Sequence, residues 1–357
     1  MIEIDGAFGS GGGQILRSAI SLSAVTKKPC RIFNIRKNRP KPGLAHQHLS
    51  GIHALSQLCN GRLEGDEIGS EEIKFYPGEI NGSRTPINVK IETAGSIALV
   101  LQTLIPPALF ARRVEDETKE EKLFFAPEPV KITFDGGATD TFFSPTIDYF
   151  RYVFLKILEK IKAKVEINVL RRGYYPEGGA RVEAIIFPSK LKNLNLGERG
   201  VLQKISVVSG ASEFLKNKKV AERQIAGVRE ILGKLKLPME EKTEYYESQC
   251  PGSQICLIAE FENTVVGVDN LGKLGKRAED VGKEAALELL KEQKSEACLD
   301  KNLADQILPY LALAKGRSSV TVSETTEHCK TNVWVIEKFL DGKFGIKANL
   351  INWIPGD

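Results

Sequence analysis

The sequence has few of the residues that build metal centres or disulfide frameworks. Its 357 residues include six cysteines and four histidines, and no two cysteines form a Cys-x-x-Cys pair. Structural zinc sites need clustered cysteine and histidine ligands, so we do not expect one. Scattered cysteines are typical of reduced thiols, which favours a cytoplasmic protein. Cys329 adjoins His328, but two neighbours in sequence need not act together.

Long apolar segments are also missing. No stretch approaches the ~18 consecutive apolar residues that a membrane-spanning helix needs, and the N-terminus has no basic stretch followed by an apolar one. We therefore expect neither a membrane anchor nor a signal peptide. The chain is 42% hydrophobic and 27% charged. This composition is typical of a globular protein whose core is large enough for two or more domains.

Positive charge is concentrated near the N-terminus. The net charge is +4, but residues 1–50 contain eight Lys or Arg against two acidic residues, and residues 27–48 contain no acidic residue. Such a stretch can neutralise phosphates and release their counterions, which favours a polyanionic partner. A solvated basic surface is the alternative explanation.

Helical and strand patterns alternate along the chain. Apolar residues at spacings of three and four predict helices, and short runs of branched or aromatic residues predict strands. The predicted helices cover 14–26, 43–60, 96–111, 145–162, 276–292, 303–315 and 332–340. The strands outside the region discussed next include 131–134, 164–170, 181–187, 318–323 and 345–352. Ser144 and Pro145 are expected to cap and open the fourth helix.

The alternation predicts a mixed α/β (α+β) fold with three similar units. The helices would pair as 14–26 with 43–60, 96–111 with 145–162, and 276–292 with 303–315. Residues 188–275 interrupt this pattern with a polar stretch and their own strands and helix. We therefore predict a core formed by residues 1–187 and 276–357, with a small α/β domain, residues 188–275, inserted into it.

Two N-terminal segments contain residues suited to phosphate chemistry. In residues 6–14, five glycines permit a tight turn and close approach of backbone amides to an anion, with Arg17 one turn into the next helix. The P-loop spacing is absent, so a purely structural turn is an equal alternative. In the second segment, Arg36 and Arg39 precede two prolines. We expect extended backbone there that presents both guanidinium groups to a phosphate. His48 follows, although a histidine with only structural hydrogen bonds is the commoner case.

A third segment contains His328, just before a helix predicted to end near Gly342. The positive end of that helix disfavours an imidazolium ion and keeps the ring neutral. Only a neutral imidazole can attack phosphorus. Spacing alone does not distinguish this histidine from an ordinary one.

Taken together, motifs along nearly the whole chain resemble those of the RNA 3'-terminal phosphate cyclase family, and several are long and specific. In chain order they are Asp5-Gly6 with Gly11-Gly12-Gly13-Gln14-Ile15-Leu16-Arg17, Arg39-Pro40-Lys41-Pro42-Gly43-Leu44 with Gln47-His48, Ala94-Gly95-Ser96 to Leu101-Gln102-Thr103, Gly136-Gly137-Ala138-Thr139-Asp140 with Ser144-Pro145, Gly173-Tyr174-Tyr175-Pro176-Glu177-Gly178-Gly179, Leu303-Ala304-Asp305-Gln306, and His328-x-x-Thr331-Asn332.

The resemblance implies a core of three repeated units, each with two helices on a four-stranded sheet, and an inserted α/β domain. It also implies a ligase that acts in RNA processing. A histidine, here His328, attacks the α-phosphorus of ATP and releases pyrophosphate. The AMP then passes to an RNA 3'-phosphate to give an RNA-(3')pp(5')A intermediate. Finally, the adjacent 2'-hydroxyl displaces AMP and leaves a 2',3'-cyclic phosphate.

The same resemblance implies roles for further residues. In addition to His328, the family pattern assigns roles to Arg17, Arg36 and Arg39, which would bind the ATP triphosphate or the RNA terminal phosphate. The adenosine would be held by Pro145, Gln102, Asn302, Leu303, Ala304, Asp305 and Gln306. The RNA phosphate would be contacted by Gln14, Gln47 and His48. The implied ligands are ATP, a divalent cation (Mg or Mn) with unassigned protein ligands, and RNA with a 3'-terminal phosphate. No membrane partner is expected, and a homo-oligomer is compatible with the sequence.

Two residues depart from the family pattern. Ser10 stands where a glutamate usually assists metal-dependent adenylation, and serine is a poorer ligand for a hard cation. Asn302 stands where an aromatic or imidazole side chain usually lies near the nucleotide. A non-catalytic cyclase-like ribosome-maturation factor therefore remains an alternative, although His328 and the three arginines favour the enzyme. An enolpyruvyl transferase shares the repeated unit but needs no histidine nucleophile.

Overall fold

Four-stranded sheets and the helices that connect their strands form the part of the chain that the structure describes. This computed structural model describes residues 1–9, 11–80, 86–111, 128–235 and 238–356. Four such sheets lie within those ranges. The predicted mixed α/β fold is therefore confirmed.

The first unit has parallel strands β1 and β2, which are joined by a helix because a parallel pair needs a long crossover. Its sheet has the order β1-β2-β4-β3, and its other neighbouring strands are antiparallel. Its elements are β1 (Ile2–Asp5), α1 (Gly13–Thr26), β2 (Cys30–Phe33), α2 (His46–Cys59), β3 (Arg62–Glu64) and β4 (Ile73–Tyr76).

The second unit repeats this topology with the sheet order β5-β6-β8-β7. Its second helix is interrupted by a π-helical segment, Phe150–Phe154. The elements are β5 (Ile87–Ser96), α3 (Ile97–Leu109), β6 (Val130–Ala138), α4 (Ile147–Tyr149), α5 (Leu155–Lys160), β7 (Lys164–Arg171) and β8 (Arg181–Phe187).

The third unit begins with the short strand β9 (Asn195–Leu196), after which the chain enters an inserted unit. The inserted sheet has the order β11-β10-β12-β13. Its elements are β10 (Leu202–Ser212), a 3-10 helix (Glu213–Lys218), α6 (Val220–Leu232), a second 3-10 helix (Gly233–Leu235), β11 (Met239–Tyr246), β12 (Ser253–Phe261), β13 (Val265–Leu271) and α7 (Ala278–Lys294).

The chain then returns to complete the third unit. Strand β9 pairs in parallel with β14, and the sheet order β15-β16-β14-β9 matches that of the first two units. The elements are α8 (Lys301–Leu313), β14 (Ser318–Thr321), α9 (Glu327–Phe339), β15 (Gly342–Lys347) and β16 (Leu350–Pro355). The insertion therefore lies between the first strand and the first helix of the third unit.

The predicted pairing of helix 276–292 with helix 303–315 is wrong. Helix α7 packs against α6, and its Val281 and Leu289 share a hydrophobic cluster with the inserted sheet. The two helices approach so closely that a Cβ on Gly282 would lie 1.9 Å from the Gln224 carbonyl oxygen. Helical periodicity predicts an apolar face but not which neighbour it contacts. Helix α7 thus packs with the inserted unit. The limits of 188–275 for the inserted domain stay a prediction.

Two other predicted elements differ from the structure. The helix predicted over 145–162 begins at Ile147, because the Thr146 hydroxyl accepts the backbone N–H of Tyr149 at 3.1 Å and caps it. Ser144 is therefore not the cap. The strand predicted over 345–352 is instead parts of β15 and β16, an antiparallel hairpin that turns at Ala348, where φ is +52°.

A buried ionic cluster connects the second unit with the inserted unit. The guanidinium of Arg172 donates to both carboxylate oxygens of Asp148, at 2.6 and 2.8 Å, and to Asp140 at 2.9 Å. Its carbon lies 4.3 Å from the centre of the Tyr246 ring. The Arg172 side chain is only 2% exposed, so each charge depends on the others for compensation.

A second buried carboxylate, Asp300, connects three of the four units. It caps α8 by accepting the backbone N–H groups of Asn302 and Leu303. It also accepts the Tyr149 hydroxyl at 2.6 Å and the Gly267 backbone N–H at 3.1 Å. The start of α8 is therefore held by the second and the inserted units.

All six cysteines are buried and form no disulfide. Within the described ranges, no helix combines the length and the apolar character needed to cross a bilayer.

Changing Arg172 to Met should lower the free energy of unfolding by about 3–5 kcal/mol, because Asp140 and Asp148 would be left buried without a counter-charge. Urea titration measures this loss. Arg181→Met is the control, since its side chain is 60% exposed and lies 3.7 Å from Asp135; it should cost less than about 1 kcal/mol. Equal losses in the two variants would contradict this role of Arg172.

Candidate active site

The glycine-rich loop after β1 folds tightly against α2. Gly9 and Gly11 have φ angles of +55° and +56°, a region that favours glycine. Gly13 opens α1, and a Cβ there would lie 2.4 Å from the His48 Nε2 atom. No side-chain hydrogen bond caps α1, whose N-cap residue is Gly12. Its first backbone N–H groups are therefore suited to an anion.

Polar side chains join α1 to the two helices of the third unit. The Gln14 amide donates to Asp305 Oδ2 at 2.9 Å and to the His328 carbonyl oxygen at 3.1 Å. Ser18 donates to Asn332 Oδ1 at 2.6 Å, and Asn332 donates to the Asp305 carbonyl oxygen at 2.7 Å. These bonds bring residues about 300 positions apart into one site.

His328 is the second residue of α9, because this helix begins at Glu327, five residues before the predicted start at 332. Thr326 caps this helix by accepting the Cys329 backbone N–H at 3.2 Å. The histidine is exposed to solvent. Its pKa is lowered, first by partial burial and then by the positive charges of Arg17 and Arg39. The ring is therefore held in its neutral form.

The loop that contains Arg36 and Arg39 is a series of turns, so the predicted extended backbone is wrong. Arg36 has a φ of +54° and donates to the Gly43 carbonyl oxygen at 2.9 Å. The backbone N–H of Arg39 donates to the Arg36 carbonyl oxygen at 2.9 Å. Short-range hydrogen bonds therefore decide the backbone here, in spite of the following prolines. Burial, followed by the charge of Arg39, lowers the pKa of Arg36.

Gln47 and His48 hold the site together through their acceptor atoms. Gln47 Oε1 accepts the Ser96 backbone N–H at 3.1 Å, and His48 Nδ1 accepts the Ala45 backbone N–H at 3.1 Å. Burial, then Arg17 and Arg36, lower the pKa of His48 to about 3. His48 is thus neutral, and its remaining proton must lie on Nε2. The amide NH₂ of Gln47 and the Nε2–H of His48 can therefore still donate hydrogen bonds to a ligand.

The residues predicted for the adenosine fall into three groups. Gln102 donates to Gln306 Oε1 at 2.9 Å across the α3–α8 contact, while Asn302 is exposed in the first turn of α8. Leu303 and Ala304 are fully buried, so their side chains pack in the core. Pro145 lies two residues before α4, which is connected to the start of α8 through the Tyr149–Asp300 hydrogen bond.

A narrow polar cleft runs beside these residues between α1, α3, α8 and α9. Three of its buried polar atoms have no hydrogen-bond partner among the described residues: Gln14 Oε1, Ser21 Oγ and Tyr310 OH. Buried polar groups normally have partners. These atoms are therefore available to water or to a polar ligand.

Arg17 and Asp305 face each other across this cleft. Burial raises the pKa of Asp305 to about 7, although the charge of Arg17 opposes the rise. Burial likewise lowers the pKa of Arg17 to about 10, against the effect of Asp305. The strong perturbation of both groups in one cleft is typical of a functional site.

Other side chains near His328 are less suited to catalysis. Cys329 is buried, and burial raises the pKa of its thiol to about 11, so the thiolate form is negligible at neutral pH. Among the described residues, no group of three His, Cys, Asp or Glu side chains could hold a metal ion. Ser10, the position of the usual metal-assisting glutamate, lies outside the described residues.

The structure thus brings His328, Arg17, Arg36 and Arg39 into one electrostatic cluster, together with Gln14, Gln47, His48 and Asp305. Sequence reasoning assigned no role to Asn332 or Ser18. Their hydrogen bonds orient α9 against α1 and α8. The sequence did contain a signal for Asn332, because this residue ends the His-x-x-Thr-Asn motif. It contained no signal for Ser18, because serine is common in helices.

The chain is similar to known proteins along almost its whole length. The family described as RNA 3'-terminal phosphate cyclase matches residues 8–346. Proteins named RNA 3'-terminal phosphate cyclase are similar over 98% of this chain. The protein from Pyrococcus furiosus is 46% identical over 96% of its own length, that from Archaeoglobus fulgidus 43% over 99%, and that from Saccharolobus islandicus 42% over 97%.

Relative to the wild type, changing Asp305 to Asn should stabilise the ligand-free protein above pH 7 by up to about 4 kcal/mol. The unfolded chain releases the Asp305 proton near pH 4 and the folded protein near pH 7, so the wild type loses stability over this interval while the asparagine does not titrate. Urea titrations at pH 4, 6 and 8 measure the difference, with exposed Asp341→Asn as control. A gain that is larger at pH 4 than at pH 8 would contradict the assignment.

Proposed function

The chain belongs to the RNA 3'-terminal phosphate cyclase family, and on this basis we propose that it converts RNA 3'-terminal phosphates into 2',3'-cyclic phosphates at the expense of ATP. The observation that carries the proposal is the convergence of His328 with three arginines. The glycine-rich loop and the loop that contains Arg36 and Arg39 come from the N-terminal region, and His328 comes from the C-terminal region. Each of them has a separate use in phosphoryl transfer.

In the first proposed step, a nitrogen of His328 attacks the α-phosphorus of ATP. A phosphorus–nitrogen bond forms, the bond to the β-phosphate oxygen breaks, and pyrophosphate leaves. The lowered pKa of His328 supports this step, because the attacking nitrogen must carry a free lone pair. The proton on the other ring nitrogen passes to solvent as the bond forms.

Arg17, Arg36 and Arg39 would offset the charge of the ATP phosphates. Among the described residues, the guanidinium groups of Arg17 and Arg39 donate no hydrogen bond to another protein group, and Arg36 uses only Nη1, which donates to Gly43. Their remaining donors are therefore available to phosphate oxygens. Phosphoryl transfer depends mainly on such positioning and charge neutralisation.

The polar cleft between α1 and α8 supports adenosine binding beside the phosphates. Gln102, Asp305 and Gln306 line it, and together they offer both donors and acceptors. A carboxyl with a pKa near 7 can act in either capacity at neutral pH. Asn302 offers hydrogen bonds at the exposed end of this segment, but no ring for stacking.

A divalent cation is expected with ATP. Magnesium usually keeps several waters and binds through one or two carboxylates together with substrate phosphates. In the described ranges, Asp305 is the carboxylate of the cleft, and one of its oxygens already accepts from Gln14. We therefore expect phosphate oxygens and water to supply most ligands, and we assign no step to the metal.

In the later steps, an oxygen of the RNA 3'-phosphate attacks the phosphorus bound to His328, and the phosphorus–nitrogen bond breaks. The 2'-hydroxyl oxygen then attacks the 3'-phosphorus, the phosphoanhydride bond to AMP breaks, AMP leaves, and the hydroxyl proton passes to solvent. Gln14, Gln47 and His48 are proposed to contact the RNA phosphate, because the amide NH₂ of Gln47 and the Nε2–H of His48 remain as donors. A cytoplasmic location is expected for such an RNA-processing ligase.

A non-catalytic ribosome-maturation factor with the same fold is the main alternative. The retained His328 and arginines favour the enzyme, since a binding protein has no need of a neutral histidine among cations. An enolpyruvyl transferase would require a phosphorylated small molecule instead of RNA.

Incubation with ATP labelled at the α-phosphorus tests the first step. The wild type should acquire an acid-labile label, because a phosphorus–nitrogen bond is hydrolysed in acid, and His328→Ala should acquire none. His53→Ala is the matched control, since His53 is exposed and pairs with Asp66 at 2.8 Å; it should label normally.

The same preparations are then given a synthetic RNA that ends in a 3'-phosphate. Wild type and His53→Ala should render that phosphate resistant to phosphatase when ATP is present. Absence of label with every divalent cation tried would support the non-catalytic alternative, and label on His328→Ala would identify a different nucleophile.

A further inference from the structure

An aromatic pair lies on the outer side of the candidate active site. Phe8, in the glycine-rich loop, stacks on Trp334 of α9, with ring centres 4.2 Å apart and ring planes inclined by 13°. Phe8 is nevertheless 40% exposed. One face of its ring is covered by Trp334, so the exposed area includes the opposite face.

This pair is close to the proposed nucleophile. Trp334 follows His328 by six residues on the same helix, which places it about 9 Å further along the helix axis. The loop that contains Phe8 also packs on α9 beside the pair, where a Cβ on Gly9 would lie 2.6 Å from the Thr331 hydroxyl. The aromatic stack is therefore continuous with the site that contains His328.

Positive charge borders the aromatic pair on two sides. The amide of Asn38 donates to the Ala7 carbonyl oxygen at 3.3 Å, which joins the arginine loop to the residue before Phe8. In that loop Lys37, Arg39 and Lys41 are exposed, and none forms an ion pair within the described ranges. On the helix, the Lys338 ammonium lies 5.6 Å from the Trp334 ring centre.

Exposed aromatic rings bordered by unpaired cations are typical of sites for single-stranded nucleic acid. The cations follow the phosphates, and bases stack on the rings without regard to sequence, because every base has a π-face. An enzyme that acts on RNA ends of differing sequence needs a contact of this kind.

We propose that the outward face of Phe8, supported by Trp334, stacks on the base of the RNA 3'-terminal nucleotide. This subsite rests on the proposed function, because it assumes that the terminal phosphate lies at His328. It adds a contact with the base to the proposed contacts of Gln14, Gln47 and His48, which involve only the RNA phosphate. The stacking contact should strengthen RNA binding for all four bases.

Equilibrium binding of RNA in the absence of ATP tests the subsite, since this measurement does not depend on turnover. Two fluorescent oligonucleotides with 3'-phosphates are compared by anisotropy: one complete, and one that lacks only the terminal base. The wild type should bind the complete RNA ~10-fold more tightly. In Phe8→Leu, which keeps an apolar side chain but has no aromatic face, this preference should fall below about 2-fold.

Phe214→Leu is the matched control. Phe214 is 62% exposed in the inserted unit, and its replacement should leave the ~10-fold preference unchanged. A third oligonucleotide lacks the penultimate base instead of the terminal one. If this RNA, and not the second, binds weakly, the terminal base is not the one that stacks.

Two further outcomes would overturn the inference. One is a wild type that binds both RNAs equally. The other is a Phe8→Leu variant that binds both RNAs more weakly but still prefers the complete RNA. That result would mean that Phe8 only holds the loop on α9. ATP labelling of His328 is measured on the same preparations. If the wild type acquires no label, the proposed function is wrong. The ratio of the two RNA affinities would still show whether Phe8 stacks on the terminal base.

Discussion

The candidate site depends on the charge of the half-buried Arg17 guanidinium, which interacts with several neighbouring groups. It lies close enough to Asp305 to oppose the rise of that carboxyl's pKa, and close enough to His48 and His328 to lower theirs. Burial and, after it, this cation lower the pKa of both histidines, while a bound triphosphate would supply the negative charge that the cluster lacks. The protein alone therefore holds an excess of positive charge that suits a polyanion.

The repeated fold explains how this cluster is assembled. The first and third units have the same strand order, and helices α1 and α9 pack together where these units meet. Gln14 and Asn332 then fix the register between the helices through hydrogen bonds to α8 and α9. The inserted unit contributes at a distance, because Gly267 helps to hold the Asp300 carboxylate that caps α8.

The sequence predicted local features better than contacts between units. Helix α1 and strand β8 were predicted almost to the residue, because their apolar periodicity and flanking turns are strong. The motif resemblance brought His328 and the arginines together across more than 280 residues. In contrast, the partner of α7 depends on the close approach at Gly282, and the backbone around Arg36 depends on a hydrogen bond to Gly43. Neither the packing of one helix on another nor the left-handed conformation of an arginine has a local sequence signal.

The protonation of His328 is the property that most directly tests the account. Imidazole NMR titration of the ligand-free protein, assigned with His328→Ala, measures its pKa. The account predicts a midpoint below the ordinary value of 6.5, and a shift upward in Arg39→Gln because one of the charges that disfavours the imidazolium is removed. A midpoint at or above 6.5 in the wild type, or a midpoint unchanged by Arg39→Gln, would contradict it.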